Sequence, residues 1–263
     1  MSFPFKISII GSGNLAWHLC KMLHKLDADK TEVVNHKKNE RLQKFKEQFD
    51  FITKFELKQV AVDSDLYLIC VKDNAIESVL NLLDKLKVNK PVLVCSGTFD
   101  ISKRKANIGI LYPLQSFRAG SKIKWKETPL FIEGNNDITL QAARKLAYLF
   151  SKTIIESNYK QRLSFHLAAV FANNFTNSFL VIAERLIKEA NSKQNLEILK
   201  PILKQTLKSA LDLGPLNSQT GPAARNDKGT MEKHEELLKG KKTLLNIYKE
   251  MSNLIAEQQK GHA

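Results

Sequence analysis

The sequence predicts an α/β protein, an N-terminal doubly wound Rossmann sheet followed by an all-helical C-terminal domain. Three observations carry this. Short apolar runs alternate with amphipathic stretches through about residue 156, as strands alternate with the helices that cover a parallel sheet. A Gly-x-Gly-x-x-Ala segment at 11–16 follows the first strand-like run and opens the first helical one. From Tyr159 onward strand-like runs stop and only helical periodicity remains. The expected domains are therefore 1–156 and 157–263, divided by a change of period, with no linker between them.

The elements follow in order. ISII at 7–10 reads as a strand, and Asn14 to Leu26 as a helix with Leu15, Leu19, Met22, Leu23 and Leu26 at helical spacing. TEVVN at 31–35 is the second strand and 39–49 a charged helix. The nearly unbroken apolar run 65–71 fits a strand covered on both faces. Asp73 or Asn74 can cap the helix that runs to about Leu86. Further strands are expected at 91–95, 108–112, 129–133 and 153–155, with a helix at 139–151. Beyond the boundary, helices are expected at 159–191, 196–212, 230–239 and 241–258, with a turn-rich segment before the third.

Composition narrows the class. At 263 residues and 43% hydrophobic, the chain has room for two cores. The apolar run at 7–10 is too short for a signal sequence or a membrane span, so a soluble, cytoplasmic protein with no membrane partner is expected. Cys20, Cys70 and Cys95 are odd in number and lack metal-ligand spacing, which fits small buried side chains in a reducing compartment and no metal site. The net charge of +14 is spread over both halves, mostly as lysine. A nucleic-acid surface would concentrate it in a patch with stacking aromatics, so no nucleic-acid partner is expected. A diffuse positive field still draws an anionic cofactor or substrate.

The strongest motif is Gly11-Ser12-Gly13-Asn14-Leu15-Ala16. The first glycine permits a tight turn, the second lets a pyrophosphate approach the backbone, and the alanine allows close helix–strand packing. The helix N-terminus adds free N–H groups for the phosphates. After the second strand, where NAD sites place a carboxylate for the ribose, this chain has Asn35-His36-Lys37-Lys38. That favours NADP, because the two lysines and the histidine attract a 2′-phosphate. Val71-Lys72-Asp73 and Ser96-Gly97 follow later strands at their carboxyl ends, where doubly wound sheets bind ligands; Asp73 reads equally well as a helix cap.

The helix from 159 is apolar almost all round, which normally means burial, yet His166, Asn173, Asn177 and Glu184 fall near one face, with Asn174 beside them. This polar stripe either pairs with other polar groups or lines a wet pocket. Thr220-Gly221-Pro222-Ala223-Ala224-Arg225 is its expected counterpart, with Thr220 and Arg225 as donors for a substrate carboxylate. His166 is the candidate proton carrier.

These residues resemble the Rossmann-like NADP oxidoreductases whose C-terminal half is a domain of unknown function. Those proteins are related to pyrroline-5-carboxylate reductase, ketopantoate reductase and 6-phosphogluconate dehydrogenase-like proteins. The resemblance spans nearly the whole chain and rests on 11–16, Ser96-Gly97, YPLQSF at 112–117, HLAAVFANNF at 166–175 and TGPAARNDKGT at 220–230. Relatives often carry His where this chain has Tyr112, and some use a helix Lys with an Asn four residues on. This chain lacks that Lys, and His166 with Asn173 or Asn174 is the expected substitute. The resemblance implies a homodimer through the helical domain. The residues are read as an enzyme in which NADPH delivers hydride to a C=O or C=N group of a small carboxylate-bearing metabolite. The alternative is a non-catalytic NADP-binding sensor or scaffold dimer.

Overall fold

The structure is a computed structural model that describes residue 3 and residues 5–104, 107–190 and 193–260. The chain forms two compact units, one extending through Thr176 and the other beginning at Asn177. The last strand ends at Glu156, so the first unit also takes in the first helix of the all-helical part.

In the first unit, β1 (Ile7–Ile10) leads into α1 (Asn14–His24), β2 (Thr31–Val34), α2 (Glu40–Phe49) and the short β3 (Ile52–Lys54). Then come β4 (Leu66–Ile69), α3 (Asp73–Lys85), β5 (Val92–Val94), β6 (Ile108–Pro113), β7 (Leu130–Gly134), α4 (Asp137–Phe150) and β8 (Ile154–Glu156). The sheet order is β3-β2-β1-β4-β5-β6-β7-β8, the doubly wound Rossmann arrangement extended by two strands. Every residue of β1, β2 and β4 is buried, because helices cover both faces. On one face Trp17 packs edge-on against Phe45 with ring centroids 5.0 Å apart. On the other, Tyr67, Ile69, Ile76 and Leu80 close a second core.

Two features depart from the sequence reading. The edge strand β3 was not expected: it has three residues and Ile52 is exposed, too little pattern to register as a strand. β7 runs antiparallel to β6. The segment between them holds only a one-turn 3-10 helix, Trp125–Glu127, and no crossover helix, so the chain has to return alongside.

The helix α5 (Tyr159–Ala169) begins with a full capping box, Asn158 with Gln161. One turn in, Arg162 is fully buried. Its Nη1 pairs with the Glu133 carboxylate on β7 and its Nη2 donates to the Phe99 carbonyl in the loop after β5. Phe165 lies against Phe131, centroids 4.9 Å apart. The helix is thereby fixed over β6 and β7 by a charged clamp and an aromatic one.

The expected single α-helix over 159–191 is interrupted: α5 gives way to a π-helical segment, Val170–Phe175, before α6 (Thr176–Glu189). Residue 191 lies outside the described residues. A π turn widens a single turn inside an otherwise α-helical run, a change too local for periodicity over the whole run to reveal. The expected burial is also corrected: Phe165, Phe171 and Phe175 are 46%, 60% and 44% exposed. The run Tyr159–Glu189 is long and apolar enough to cross a membrane by length and composition, with a mean hydropathy of 1.2. A buried Arg–Glu pair and the His–Asn–Asn stripe on the same run argue for a protein-covered face.

The second unit is helical: the rest of α6, then α7 (Lys200–Leu213), α8 (Lys228–Leu237) and α9 (Lys242–Lys260). Asp227 caps α8, accepting from the Thr230 amide at 3.1 Å and the Thr230 hydroxyl at 2.7 Å. The Thr230 contacts, with Arg225 nearby, hold its carboxyl below the usual carboxylate range. His234 Nδ1 meets the Tyr248 hydroxyl at 2.9 Å, and Lys241 pairs with Glu189.

Breaking one side of a buried ion pair strands the other charge, at a cost of about 3–5 kcal/mol. Arg162→Ala should therefore lower stability by roughly that amount, and Arg162→Met with Glu133→Gln should recover part of it. Chemical denaturation of the three proteins checks this; equal losses in the single and double variants would show that the pair is not what holds α5.

Candidate functional site

The cofactor-binding candidates begin at the turn after β1. Gly11 has φ +114° and donates its amide to the Val34 carbonyl at 2.8 Å. A Cβ there would sit 2.4 Å from the Cys70 carbonyl oxygen, so only glycine fits. Gly13 is the N-cap of α1, with extended backbone and no side-chain cap. A Cβ on it would meet nothing closer than 3.8 Å, which leaves the approach to the helix N-terminus open. The first turn of α1 carries no acid, so its N–H groups and partial positive charge are available to an anion. Ala16 is fully buried and Leu15 packs partly against the core.

The polar side chains of this loop are turned toward protein. Ser12 Oγ accepts from Asn39 at 3.4 Å. Asn14 donates to the Phe117 carbonyl at 2.9 Å and accepts from Arg41, bridging the glycine loop to the 112–117 segment and to α2. Its contribution is to fix the loop.

The segment after β2 is a built turn. Asn35, nearly buried, donates to the Lys37 carbonyl at 3.1 Å and lies 3.2 Å from His36 Nδ1. Lys37 and Lys38 are exposed, and Lys38 Nζ rests 5.7 Å from the Phe55 ring centroid. The carboxylate on β2, Glu32, is engaged by Ser8, the Ala61 amide and Lys54, so no acid stands at the strand end. Arg41 is a cation the sequence reading missed; only its place two residues beyond the Asn39 cap marked it out.

At the end of β4, Lys72 is the N-cap of α3 and makes no side-chain cap bond. Asp73 is the first helical residue, and its carboxylate accepts from the Thr98 hydroxyl instead of capping. Val71 lies beside Gly11. Ser96, after β5, accepts from the amides of Thr98 and Phe99 at 3.1 and 3.2 Å, so its hydroxyl shapes its own loop. All these segments meet at the carboxyl ends of the parallel strands, the ligand-binding edge of such sheets.

The catalytic candidates gather on the same edge. Tyr112, on β6, lies two residues beyond Ile110, the partner of Val94 on β5. Its hydroxyl is 2.9 Å from His166 Nδ1 on α5. With Gln115, Ser116, Asn173 and Asn174, this pair lines a cavity of about 340 Å³. The π-helical segment supplies both asparagines; such segments are frequent at functional sites. Burial raises the Tyr112 hydroxyl above its ordinary value, the Arg162 guanidinium opposes the rise, and Asp73 adds to it. The structure thus unites His166, Asn173 and Asn174 and adds Tyr112, Gln115 and Ser116. Asn177, Glu184, Thr220 and Arg225 belong to the second unit, where Glu184 pairs with Lys188 and Thr220 lines a mainly apolar cavity of about 350 Å³ with Phe179, Ile182 and Tyr248.

The cysteines carry no visible chemistry. All three are free, and the Cys95 thiol beside Cys70, with burial, holds Cys70 well above the usual thiol range. A thiol in that state is a poor nucleophile.

Comparison with known proteins bears on the fold and the cofactor. Residues 6–96 match the family of NADP oxidoreductases, coenzyme F420-dependent. A "putative NADP oxidoreductase" from Bacteroides fragilis is 27% identical over 95% of this chain and 97% of its own, with a TM-score of 0.87. Pyrroline carboxylate reductase from Plasmodium falciparum with NADP bound shares the fold at 12% identity, covering 98% of this chain and all of that one, TM-score 0.61. The reductive aminase of Aspergillus terreus in complex with NADPH does so at 15% identity, covering 98% and 90%, TM-score 0.62. No curated protein matches the sequence. Fold, glycine loop and family match define an NADP-dependent oxidoreductase of the Rossmann class. Residues 128–255 match the domain of unknown function DUF2520.

A side chain at position 11 would collide with backbone in a conformation L-residues rarely adopt. Gly11→Ala should cost about 1–3 kcal/mol and abolish NADPH binding. Thermal melts with and without NADPH check both; a folded variant whose melting temperature still rises with cofactor would show that the turn tolerates a Cβ.

Proposed function

We propose that the protein uses NADPH to reduce a C=N or C=O group of a small carboxylate-bearing metabolite. The observation that carries this is the polar cavity beneath Tyr112, His166, Asn173 and Asn174, on the carboxyl edge of the sheet that also carries the glycine loop. The cofactor, when bound, supplies a hydride to the electrophilic carbon. The glycine turn and the α1 N-terminus hold the pyrophosphate through Gly11, Ser12, Gly13, Asn14 and Leu15. His36, Lys37 and Lys38, joined by Arg41, meet the 2′-phosphate, and Asn35 sets the turn they stand on. Val71, Lys72, Asp73 and Ser96 bound the cofactor at the ends of β4 and β5.

In this reading Asn173 and Asn174 orient the acceptor and His166 handles the proton that balances the hydride. Thr220 and Arg225 are assigned to the substrate carboxylate on the chemistry of their donors. A polar cavity of a few hundred Å³ admits a molecule of metabolite size, and the pyrroline and aminase relatives act on that scale. A sensor that binds NADP without turnover is the competing outcome.

The assay follows NADPH oxidation with cyclic imino acids and 2-keto acids as acceptors. Turnover on at least one class is expected, and His166→Ala should lower kcat by about 100-fold or more with NADPH affinity unchanged. Saturable NADPH binding with no turnover on either class favours the sensor.

The exposed aromatic pair of Phe171 and Phe175, ring centroids 4.9 Å apart, calls for a cover. We assign it to a second copy of the chain, which would bury it without placing charge against it. Phe171 is 60% exposed. Sedimentation should give a dimer for the native chain and a monomer for Phe171→Asp; a monomeric native protein refutes the assignment.

A further inference from the structure

We propose that Tyr112 is the proton donor of the reduction, with His166 behind it as the group that frees and then restores its proton; this rests on the reductase reading above. The hydroxyl and His166 Nδ1 stand 2.9 Å apart in the wall of the cavity. His166 Nδ1 is thus engaged by Tyr112, and a proton leaving through that nitrogen passes through the phenol.

The pair is pressed into place from three sides. A Cβ at Gly97 would lie 2.9 Å from both Tyr112 Cζ and His166 Nδ1, so glycine at the end of β5 makes room for the two rings to meet. Phe131 backs the Tyr112 ring at 6.1 Å between centroids. Arg162, one turn before His166, ties the helix to Glu133 and the Phe99 carbonyl. The charged groups acting on the phenol are Arg162 and Asp73, of opposite sign. Burial outweighs the cation and keeps the phenol in its protonated form at neutral pH, the state a general acid needs.

The step balances as follows. With a proton on Nδ1, His166 donates to the phenolic oxygen and leaves the Tyr112 hydrogen directed to the cavity. As the new C–H bond forms, the substrate nitrogen or oxygen gains an electron pair. The Tyr112 O–H bond breaks and an N–H or O–H bond forms on substrate. The Nδ1 proton passes to the phenolate while Nε2 takes one from water, and the hydroxide so formed is neutralised by the buffer. A neutral imine requires this proton, whereas an N-alkylated iminium already carries positive charge and does not.

That difference supplies the test. Single-turnover reduction by NADPH is measured in alkaline buffer with 1-pyrroline-2-carboxylate and with its N-methyl iminium, using native protein and Tyr112→Phe. Native protein should reduce both. Tyr112→Phe, which removes only the hydroxyl, should lose about 100-fold or more on the neutral imine and stay within about twofold on the iminium. NADPH affinity and melting temperature should be unchanged. Equal losses on both acceptors make Tyr112 a structural residue, and no loss on either sends the proton directly from His166; each overturns the proposal. If native protein reduces neither these acceptors nor the keto acids, the reductase reading fails and takes this proposal with it.

Discussion

The candidate site depends on one buried cation. Arg162 sits at the junction where α5 crosses the β6–β7 edge, and its two terminal nitrogens reach a carboxylate on one strand and a carbonyl in the neighbouring loop. That grip, with Phe165 against Phe131 of β7, sets where the next helical turn lies, and the next turn carries His166. Its Nε is buried without a partner, so the clamp is costly as well as strong. That cost is reasonable where a helix must be held in one azimuth, because an imidazole displaced by an ångström loses the phenol it meets.

A second constraint works from below. Glycines follow two of the parallel strands, Gly11 and Gly13 after β1 and Gly97 in the loop after β5. At Gly11 and Gly97 the space a side chain would occupy is already taken, by the Cys70 carbonyl in one case and the Tyr–His pair in the other. At Gly13 it is open. The sheet edge therefore alternates sealed and accessible positions, and the accessible one coincides with the N-terminus of α1, where backbone N–H groups await an anion.

Much of the fold was legible because it is written in periodicity. Runs such as ISII and LYLI are buried from end to end, and the Leu15–Leu19–Leu23 spacing marks a helix wherever it occurs. The glycine loop was legible because a strand, a glycine pair and a helix succeed one another with little freedom. Partnerships between distant residues were not legible. Arg162 with Glu133, Asn14 with Phe117 and Arg41, and Tyr112 with His166 are 29, 103, 27 and 54 residues apart, and no local pattern encodes them. The π turn was invisible for a different reason: it alters one turn of a long helical run, too few residues for hydrophobic periodicity to register. The apolar helix was read as buried because hydropathy reports the need for cover without saying which molecule supplies it.

Asn35 links two properties that are usually considered separately. Its carboxamide holds the turn that presents His36 and Lys37, and it stands where a ribose-binding acid would otherwise be placed. Exchanging it for aspartate would install a ribose ligand and, in the same stroke, remove the donor to the Lys37 carbonyl. In the proposed cofactor site, that one exchange would therefore change the ribose environment and the shape of the loop together, so neither could be altered at this position alone.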